Sequence, residues 1–477
     1  MAGQPENCNS PIRVRSKINS HFQGLRRPHG KARGERIAGY LTNEQRSHVG
    51  WIGASKCEVI FERTLMSKRN RKIELLAPAG NFEKLEIAIR YGADAVYLAG
   101  KEFSLRNFSG NFTIDEMRKA VKFAHDQRVK VYVACNIYSR NPEQKAIGEY
   151  LKELGDIGPD AVIIAEPGIL MEASKIIPQI PLHLSTQANT TNYKSILFWE
   201  KFGIKRINIA RELSLKEIRE IVSRSSIEIE AFIHGSMCIS YSGRCLLSSF
   251  MTNRSSNLGE CSHPCRWKYA VVEAKRPGEY FPIEENNSGT YILNSRDLCM
   301  IEHIPEIIES GLSSLKIEGR MKGINYVASA VKVYREAIDL YYENPDGFKV
   351  QKYWIDELNK ISHRGYCTGF YFADPEQISP NFIDYKNPGQ VFIGKIIERS
   401  GHQSVNIDVR NKIFKGDVVE ILNRKGPSRK DKIKQIIDQS GESLSFAQPG
   451  SRVTIFLNSD YLPNDLIRRA GDDSKNE

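Results

Sequence analysis

The chain has 477 residues, of which 40% are hydrophobic and 26% are charged, with a net charge of +11 at pH 7. This composition excludes collagen, a fully disordered chain and a disulfide-stapled miniprotein, and no run reaches the roughly 18 apolar residues of a membrane span. Residues 1–72 hold 15 Lys and Arg against 5 Asp and Glu, whereas the remaining residues hold 53 against 52. The excess of positive charge therefore lies in the amino-terminal segment. The rest of the protein is nearly neutral and has no overall positive electrostatic field that would attract nucleic acid.

The amino-terminal segment, residues 1–72, shows little periodic hydrophobicity and lacks the apolar core of a secretion signal. Three interpretations stay open: a disordered RNA-binding arm, an organelle transit peptide, and a tail without folded function. The acidic residues of the segment argue against the transit peptide, because such peptides contain few of them. In the third, which we favour, Met66 is a plausible natural start just before the ordered pattern begins. Without a secretion signal or a membrane segment, we expect a cytoplasmic protein.

From residue 73 onward, short β-rich apolar runs alternate with amphipathic helical patterns. The eight runs cover residues 74–77, 95–98, 129–133, 161–164, 182–184, 206–209, 227–233 and 315–317. Such alternation indicates an α/β fold with a parallel sheet, and eight runs predict a closed (β/α)8, TIM-barrel-like domain over residues 73–345. A doubly wound open sheet is the alternative.

Active sites of (β/α)8 barrels lie at the carboxyl ends of the strands. Five residues with suitable chemistry follow the predicted strands: Gln187, Arg211, His234, Glu318 and Arg320. A shared pocket is one interpretation of this set. Ordinary loop polarity and helix capping are the other.

The cysteines are spread unevenly along the chain. Four of the nine lie in a 28-residue window directly after the seventh predicted strand, and 33 residues separate the last of these from a fifth; they are Cys238, Cys245, Cys261, Cys265 and Cys299. Clustered thiols in a chain without a secretion signal indicate metal ligands rather than disulfides. The wide, unequal spacing favours a four-iron–four-sulfur cluster over zinc, and unligated buried cysteines are the third possibility.

Several motifs resemble a known family. The segments Glu230–Cys238 (EAFIHGSMC) and Gly243–Ser248 (GRCLLS) look like the signature of the collagenase-like peptidase family. Leu76–Asn81 (LAPAGN) and His363–Phe370 (HRGYCTGF) extend the resemblance, which covers roughly residues 73–460. The family was named for proteolysis, and other branches hydroxylate RNA or ubiquinone precursors with an iron–sulfur cluster on similar cysteines.

The sequence is most similar to the branch that hydroxylates tRNA. This resemblance implies that the protein makes 5-hydroxyuridine at the wobble position of tRNA and depends on prephenate. It places Cys238, Cys245 and Cys261 as cluster ligands and leaves the fourth open between Cys265 and Cys299, because a ubiquinone-pathway relative has its fourth ligand near the position of Cys299. Proteolysis and hydroxylation of another aromatic substrate are the alternative functions.

A mechanism hypothesis assigns roles to the polar candidates. His234, Glu318 and Arg320 are the catalytic candidates, and Gln187 is a substrate contact. Arg211, Arg320 and Lys316 are candidate anion-binding groups for a dicarboxylate such as prephenate, because guanidinium groups pair with carboxylates bidentately. Salt bridges to neighbours such as Glu212 or Glu318 explain these cations equally well. The sequence weighs against a simple protease, because no HExxH or GxSxG motif is present, but a nucleophile pair of His234 and Cys238 keeps proteolysis as the alternative.

The carboxyl-terminal part is divided into a linker region, a small β-barrel domain and a polar tail. These cover residues 346–388, 389–460 and 461–477. The predicted strands of the β domain are 391–397, 404–409, 416–421, 432–437 and 453–456. The loop at residues 424–430 carries four Lys and Arg side chains, which suit either tRNA phosphates or a solvated hairpin.

Overall fold

The computed structural model describes residues 72–104, 110–237, 245–256, 260–267, 270–272, 280–282, 296–372 and 391–470. Four predicted features lie wholly or largely outside these described residues: the basic extension up to residue 71, Cys238, residues 373–388 of the linker region, and residues 471–477.

Eight parallel strands close into a barrel. The first seven strands neighbour each other in sequence order, and the eighth, Ser314–Ile317, pairs with both the seventh and the first. Three short strands precede this eighth member of the barrel in the chain. The bounds are β1 Glu74–Pro78, β2 Ala95–Ala99, β3 Lys130–Cys135, β4 Ala161–Ile164, β5 Leu182–Leu184, β6 Arg206–Asn208, β7 Glu228–Ser236, β8 Ala270–Val272, β9 Tyr280–Pro282, β10 Asp297–Cys299 and β11 Ser314–Ile317. The predicted closed barrel is confirmed, and the open-sheet alternative is wrong.

Five of the helices in the described part of the barrel domain begin at a side-chain cap. Asn81 accepts a hydrogen bond from the Lys84 backbone N–H at 2.9 Å, while Thr113 and Ser214 form capping boxes with the glutamates three residues later. The bounds are α1 Phe82–Arg90, α2 Ile114–Asp126, α3 Gln144–Ile157, α4 Pro167–Ile176, α5 Tyr193–Lys201, α6 Leu215–Ser223, α7 Leu247–Thr252, α8 Ile304–Glu309, α9 Ile324–Glu343 and α10 Lys352–Asn359. Within the described ranges, no helix has both the length and the apolar character needed to cross a membrane.

The first part of the predicted linker region is a packed extension of the barrel domain. It contains α10, whose Trp354 is buried in the barrel core, and the short strand β12, Tyr366–Cys367, which pairs with β10. A buried ion pair joins Arg364 to Asp297 at 2.5 Å. The linker boundary is therefore wrong for residues 351–372, because aromatic side chains anchor this segment to the barrel.

The carboxyl-terminal domain is an antiparallel half-barrel, which confirms the predicted small β domain. Its main sheet has eight strands in the order β17-β16-β22-β13-β14-β21-β18-β19. The bounds are β13 Phe392–Gly401, β14 Ser404–Val409, β15 Ile413–Phe414, β16 Val418–Leu422, β17 Arg429–Lys432, β18 Gln435–Ile437, β19 Ser443–Leu444, β20 Phe446–Ala447, β21 Arg452–Phe456 and β22 Leu466–Arg469.

Strand β22 corrects the predicted polar tail. It lies between β13 and β16, in the middle of the sheet, with Leu466 and Ile467 buried. Arg468 is also fully buried, because its guanidinium meets the Glu357 carboxylate of α10 at 2.7 Å. The sequence predicted a polar tail here because the charge of Arg468 suggested exposure, whereas its ion pair with Glu357 buries it in a core strand.

The half-barrel domain docks on the outer side of the barrel. The Tyr91 hydroxyl, just after α1, donates to the Leu422 carbonyl at 2.7 Å, and Lys360 pairs with Glu420 at 2.6 Å. The Gly426 backbone N–H, in the basic loop, donates to Glu336 of α9 at 2.8 Å. Contacts with α1, α9 and the end of α10 therefore hold the two domains together.

Candidate active site

A network of charges fills the amino-terminal part of the barrel interior. Arg206, nearly fully buried, contacts Glu74 at 2.5 Å, Glu228 at 2.6 Å and Glu230 at 3.4 Å. Glu230 in turn contacts the Lys316 ammonium at 2.9 Å. Lys130 contacts Glu74 at 3.3 Å, so three cations balance the three carboxylates, which allows the charges to be buried in the barrel.

Above this network, at the carboxyl ends of the strands, lies a cavity of about 160 Å³. Five of the predicted polar residues and three of the predicted cysteines line it: Gln187, Arg211, Lys316, Glu318, Arg320, Cys245, Cys261 and Cys265. The structure thus brings most of the candidate residues to one place, at the end of the barrel where active sites of this fold lie.

Lys316 and Arg211, which are candidate anion-binding cations of this cavity, each contact a carboxylate. Lys316 pairs with Glu230, a residue absent from the expected salt bridges, and its ammonium also lies 4.4 Å from the centre of the Tyr97 ring. The Arg211 guanidinium lies 3.7 Å from Glu318 and 3.8 Å from the centre of the Phe232 ring. Lys316 is therefore a poor candidate for binding a second carboxylate, whereas Arg211 is held by a longer, weaker pair.

Arg320 is the third cation of the cavity. Its guanidinium is nearly fully buried and donates to the Ser104 hydroxyl at 3.3 Å. Its backbone carbonyl accepts from the Lys84 ammonium at 3.1 Å, so both the side chain and the backbone of Arg320 are fixed at the end of β11. A fixed guanidinium binds an anion at a lower entropic cost than a mobile one.

Two amide side chains present buried acceptors to the cavity. The Gln187 and Asn208 side-chain oxygens are buried and lack a hydrogen-bond partner in the part of the chain described. An unpaired buried acceptor costs about 1–3 kcal/mol, so this wall suits a ligand that donates hydrogen bonds. Asn208 is not among the residues predicted from the sequence, although it ends strand β6 and the other candidates were predicted from the same position, at or after a strand end.

The cysteine-bearing segment beside the cavity is fixed by short-range hydrogen bonds. The Ser262 hydroxyl lies 3.1 Å from that of Ser248 and 2.9 Å from that of Thr252, both on α7. The Ser256 hydroxyl donates to the Cys245 carbonyl at 2.8 Å. These bonds tie α7 to the turn that carries Cys261 and hold the thiols on one side of the cavity.

The three thiols of the cavity fit a soft metal centre by their chemistry. Cys245, Cys261 and Cys265 are free of disulfides, and thiolates are the ligands that iron–sulfur clusters and zinc prefer. Among the described residues, no three His, Cys, Asp or Glu side chains are grouped closely enough to hold a metal ion. Cys238, the remaining ligand candidate of this segment, lies outside them.

His234 does not line the cavity, unlike the catalytic candidates Glu318 and Arg320, and its catalytic role stays a prediction. Side chains alternate between the two faces of a strand, so the His234 side chain would face the barrel interior like that of Phe232, two residues earlier. The register between β7 and β11 shifts at this point, however. Its ring instead packs against Tyr334 and two other tyrosines and is 1% exposed. Burial lowers the pKa of His234 to about 3, so the ring is neutral.

The irregular end of β7 requires a glycine after His234. Gly235 has φ +106°, and a Cβ atom there would lie 2.4 Å from the Glu318 carbonyl oxygen. Only glycine adopts this conformation and this close approach without strain. The glycine in the signature segment thus shapes the edge of the cavity next to Glu318.

Cys299 lies with His234 and not with the other thiols. It is paired with His234 in the β7–β10 ladder, and the Tyr334 hydroxyl lies 3.7 Å from its sulfur. Burial raises the pKa of its thiol to about 11. Cys265 therefore shares the cavity with Cys245 and Cys261, whereas Cys299 does not line it.

The basic loop of the half-barrel domain lies away from this cavity. The side chains of Arg424, Lys425, Arg429 and Lys430 are exposed, but Arg424 lines a second cavity together with Lys130 and Arg206, at the amino ends of the strands. No described residue of the half-barrel domain lines the cysteine-bearing cavity. The predicted phosphate contacts of this loop would thus lie at the other end of the barrel.

Comparison with known proteins gives matches over most of the chain. The profile of "Peptidase family U32" matches residues 80–381, and that of "Peptidase family U32 C-terminal domain" matches residues 388–468. The chain is 40% identical over 402 residues to tRNA hydroxylation protein P1 of Bacillus subtilis, covering 84% of this chain and 95% of that protein. It is 35% identical over 438 residues to tRNA hydroxylation protein P of Escherichia coli, covering 83% and 95%.

A further relative acts on a different RNA. The chain is 30% identical over 367 residues to the 23S rRNA 5-hydroxycytidine C2501 synthase of Escherichia coli, covering 75% of this chain and 53% of that protein.

Proposed function

The chain belongs to peptidase family U32, and we propose that within this family it is an enzyme that hydroxylates tRNA. More specifically, it hydroxylates the wobble uridine at C5, with prephenate as co-substrate and a four-iron–four-sulfur cluster as cofactor. The names of two relatives that match over four-fifths of the chain support tRNA as the substrate. One observation carries the proposal: three thiols, a fixed arginine and two unpaired amide oxygens line a single cavity at the catalytic end of the barrel.

The cluster would be held by Cys245, Cys261 and Cys265, together with Cys238. Their thiol chemistry and their place on one side of the cavity support this set over one with Cys299, which lies behind β7 beside Tyr334. When bound, the cluster supplies one-electron redox chemistry next to the cavity.

The side chains of the cavity bind and orient the two substrates. Arg320, with Arg211 beside it, binds the carboxylates of prephenate, since a buried and fixed guanidinium favours bidentate pairing. The amide oxygen of Asn208 or of Gln187 accepts a hydrogen bond from the single ring N–H of the uracil base, at N3, and holds the base in the cavity. A wobble base reaches the cavity easily, because bases in an anticodon loop are exposed and need little unstacking.

Nucleoside mass spectrometry of tRNA tests this function. A strain that lacks the gene is complemented with the wild type or with Cys265→Ala, Cys299→Ala or Cys135→Ala. Cys135 is the matched control, since it is buried in β3 and does not line the cavity. We expect the wild type and the control to restore 5-hydroxyuridine derivatives, and Cys265→Ala to lose both them and the protein-bound iron.

Two results would contradict the proposal. Unaltered 5-hydroxyuridine in the deletion strain would reject the reaction, and stoichiometric zinc without iron in anaerobically purified protein would reject the cluster. Loss of iron in Cys299→Ala with full retention in Cys265→Ala would reverse the choice of the fourth ligand. Hydrolysis of gelatin by protein freed of metal would instead support proteolysis.

A further inference from the structure

We propose that the exposed rings of Phe250 and Trp267 form a stacking surface for the unpaired nucleotides that flank the target base. This inference rests on the proposed function, because it specifies how a single-stranded RNA loop meets the mouth of the cavity. It adds a binding subsite made of residues outside the cavity wall.

Four large apolar side chains are exposed within a short stretch of sequence beside the cavity. Phe250 is 86% exposed and Trp267 is 46% exposed, and Leu246 and Met251 are exposed as well. Their chain neighbours Leu247, Ser248, Pro264 and Cys265 line the cavity. Large apolar side chains that are exposed close together in the sequence and next to a cavity mark a binding site more often than a solvated face.

The two rings are carried by one rigid unit. Phe250 lies on α7, whose Ser248 and Thr252 are hydrogen-bonded to Ser262 at 2.9–3.1 Å. Residues 264–266 form a turn of 3-10 helix, and the Trp267 backbone N–H donates to the Pro264 carbonyl at 3.1 Å. Because the backbone under both rings is fixed, little backbone entropy is lost when a ligand stacks on them.

Single-stranded RNA is the occupant that fits this position best. A base that enters the cavity leaves its neighbours without a stacking partner, and an aromatic ring at the mouth replaces that partner for any base. A protein bound stably to the same surface would instead cover the mouth and exclude a macromolecular substrate. The two aromatic rings, one of them the most exposed large apolar side chain described, therefore point to nucleotides.

Fluorescence anisotropy with a labelled anticodon stem-loop RNA tests the stacking surface. Replacement of either ring, in Phe250→Ala or Trp267→Ala, should weaken binding by on the order of tenfold, and the double variant by more. Phe250→Tyr should bind like the wild type, whereas Phe250→Leu should not, because stacking needs a ring and not only apolar area. The dependence of affinity on salt should keep its slope, since no phosphate contact is removed.

Phe202→Ala is the matched control. Phe202 follows α5 on the outer wall of the barrel, is 55% exposed and does not line the cavity, so its removal should leave RNA affinity unchanged. Unchanged affinity of the double variant would overturn the stacking surface, and so would full affinity of Phe250→Leu. Loss of a co-purifying protein with full RNA affinity would also overturn it, in favour of a protein interface.

Failure of the proposed function has a different outcome. In that case the wild type itself would bind neither the stem-loop nor intact tRNA and would leave tRNA unmodified. The comparison between the wild type and the double variant therefore separates the two ideas.

Discussion

Replacement of Arg206 by methionine should destabilise the barrel strongly. Arg206 is 3% exposed and contacts three carboxylates at 2.5–3.4 Å, two of which, Glu74 and Glu230, are themselves buried. Methionine is apolar and close in size, so Arg206→Met removes the charge with little loss of volume. The consequence is a pair of buried carboxylates that have lost their main cation.

The size of the effect follows from what the carboxylates keep. Removal of one partner of a buried ion pair costs about 3–5 kcal/mol. Glu74 retains the Tyr132 hydroxyl at 2.8 Å, and Glu230 retains the Lys316 ammonium at 2.9 Å. We therefore expect a loss near the lower end of that range in Arg206→Met, about 3 kcal/mol in the free energy of unfolding.

Urea unfolding measures this loss. With a slope of about 3 kcal/mol per molar urea, the midpoint should fall by about 1 M. Arg219→Met is the matched control, since Arg219 is an exposed arginine on α6, and its replacement should change the free energy of unfolding by less than about 0.5 kcal/mol.

The destabilisation should shrink in acid, and the sign follows from Glu74. Burial is the largest single influence on Glu74 and raises its pKa, but the charge and hydrogen bond of Arg206, together with Lys130 and the Tyr132 hydroxyl, outweigh burial and hold the pKa below the ordinary 4.5. In the wild type this carboxylate therefore contributes stability that is lost as the pH falls through its lowered pKa. In Arg206→Met burial prevails and the folded pKa rises, so the cost of the buried charge is full at neutral pH and disappears as the pH falls to the ordinary 4.5. The remaining difference from the wild type is lost as the pH falls further, through the lowered pKa of Glu74 in the wild type.

Two outcomes would refute this reasoning. One is a loss in the free energy of unfolding below about 1 kcal/mol at pH 7. The other is a difference between wild type and variant that stays constant from pH 7 to pH 4. Either result would mean that the carboxylates do not depend on Arg206 for their charge.

Three further predictions concern the domain contact and the cavity. Glu357→Gln leaves the fully buried Arg468 without its carboxylate at 2.7 Å; it should lower the free energy of unfolding by about 3 kcal/mol and speed limited proteolysis of the half-barrel domain. Tyr91→Phe removes the 2.7 Å hydrogen bond to the Leu422 carbonyl. It should lower the free energy of unfolding by about 1–2 kcal/mol, measured by the same urea titration. Asn208→Ala should lower tRNA hydroxylation by about tenfold without lowering the urea midpoint, because its side-chain oxygen has no partner to lose in the described structure; a lowered midpoint would show a structural role instead.

The barrel strands could be predicted from the sequence because their apolar runs are short, regular and separated by amphipathic helices. The runs at 161–164 and 182–184 match β4 and β5 residue for residue. Strand β22 could not be predicted, because Arg468 reads as a surface residue until the buried Glu357 of another domain is brought beside it. A charged residue therefore cannot be assumed to be exposed when its ion-pair partner lies far away in the sequence.

The site was predictable where it depends on the ends of regular strands. Gln187, Arg211 and Glu318 line one cavity as expected, because every parallel strand of a closed barrel ends on the same face. His234 does not line this cavity, because one register shift in β7 changes the face that its side chain occupies. Beyond a β-bulge, the inward and outward alternation of side chains along a strand can no longer be predicted from the sequence. The bulge itself is hard to recognise in the sequence, apart from a glycine such as Gly235.

The way the half-barrel domain docks has a consequence for how such proteins diversify. It packs on the outside of α1, α9 and the end of α10, and none of its described residues lines the cavity. The loops at the carboxyl ends of the barrel strands can therefore be exchanged without remaking the two-domain body. A chimera that carries those loops from the relative acting on 23S rRNA would be the natural starting point for redirecting the enzyme to a new RNA.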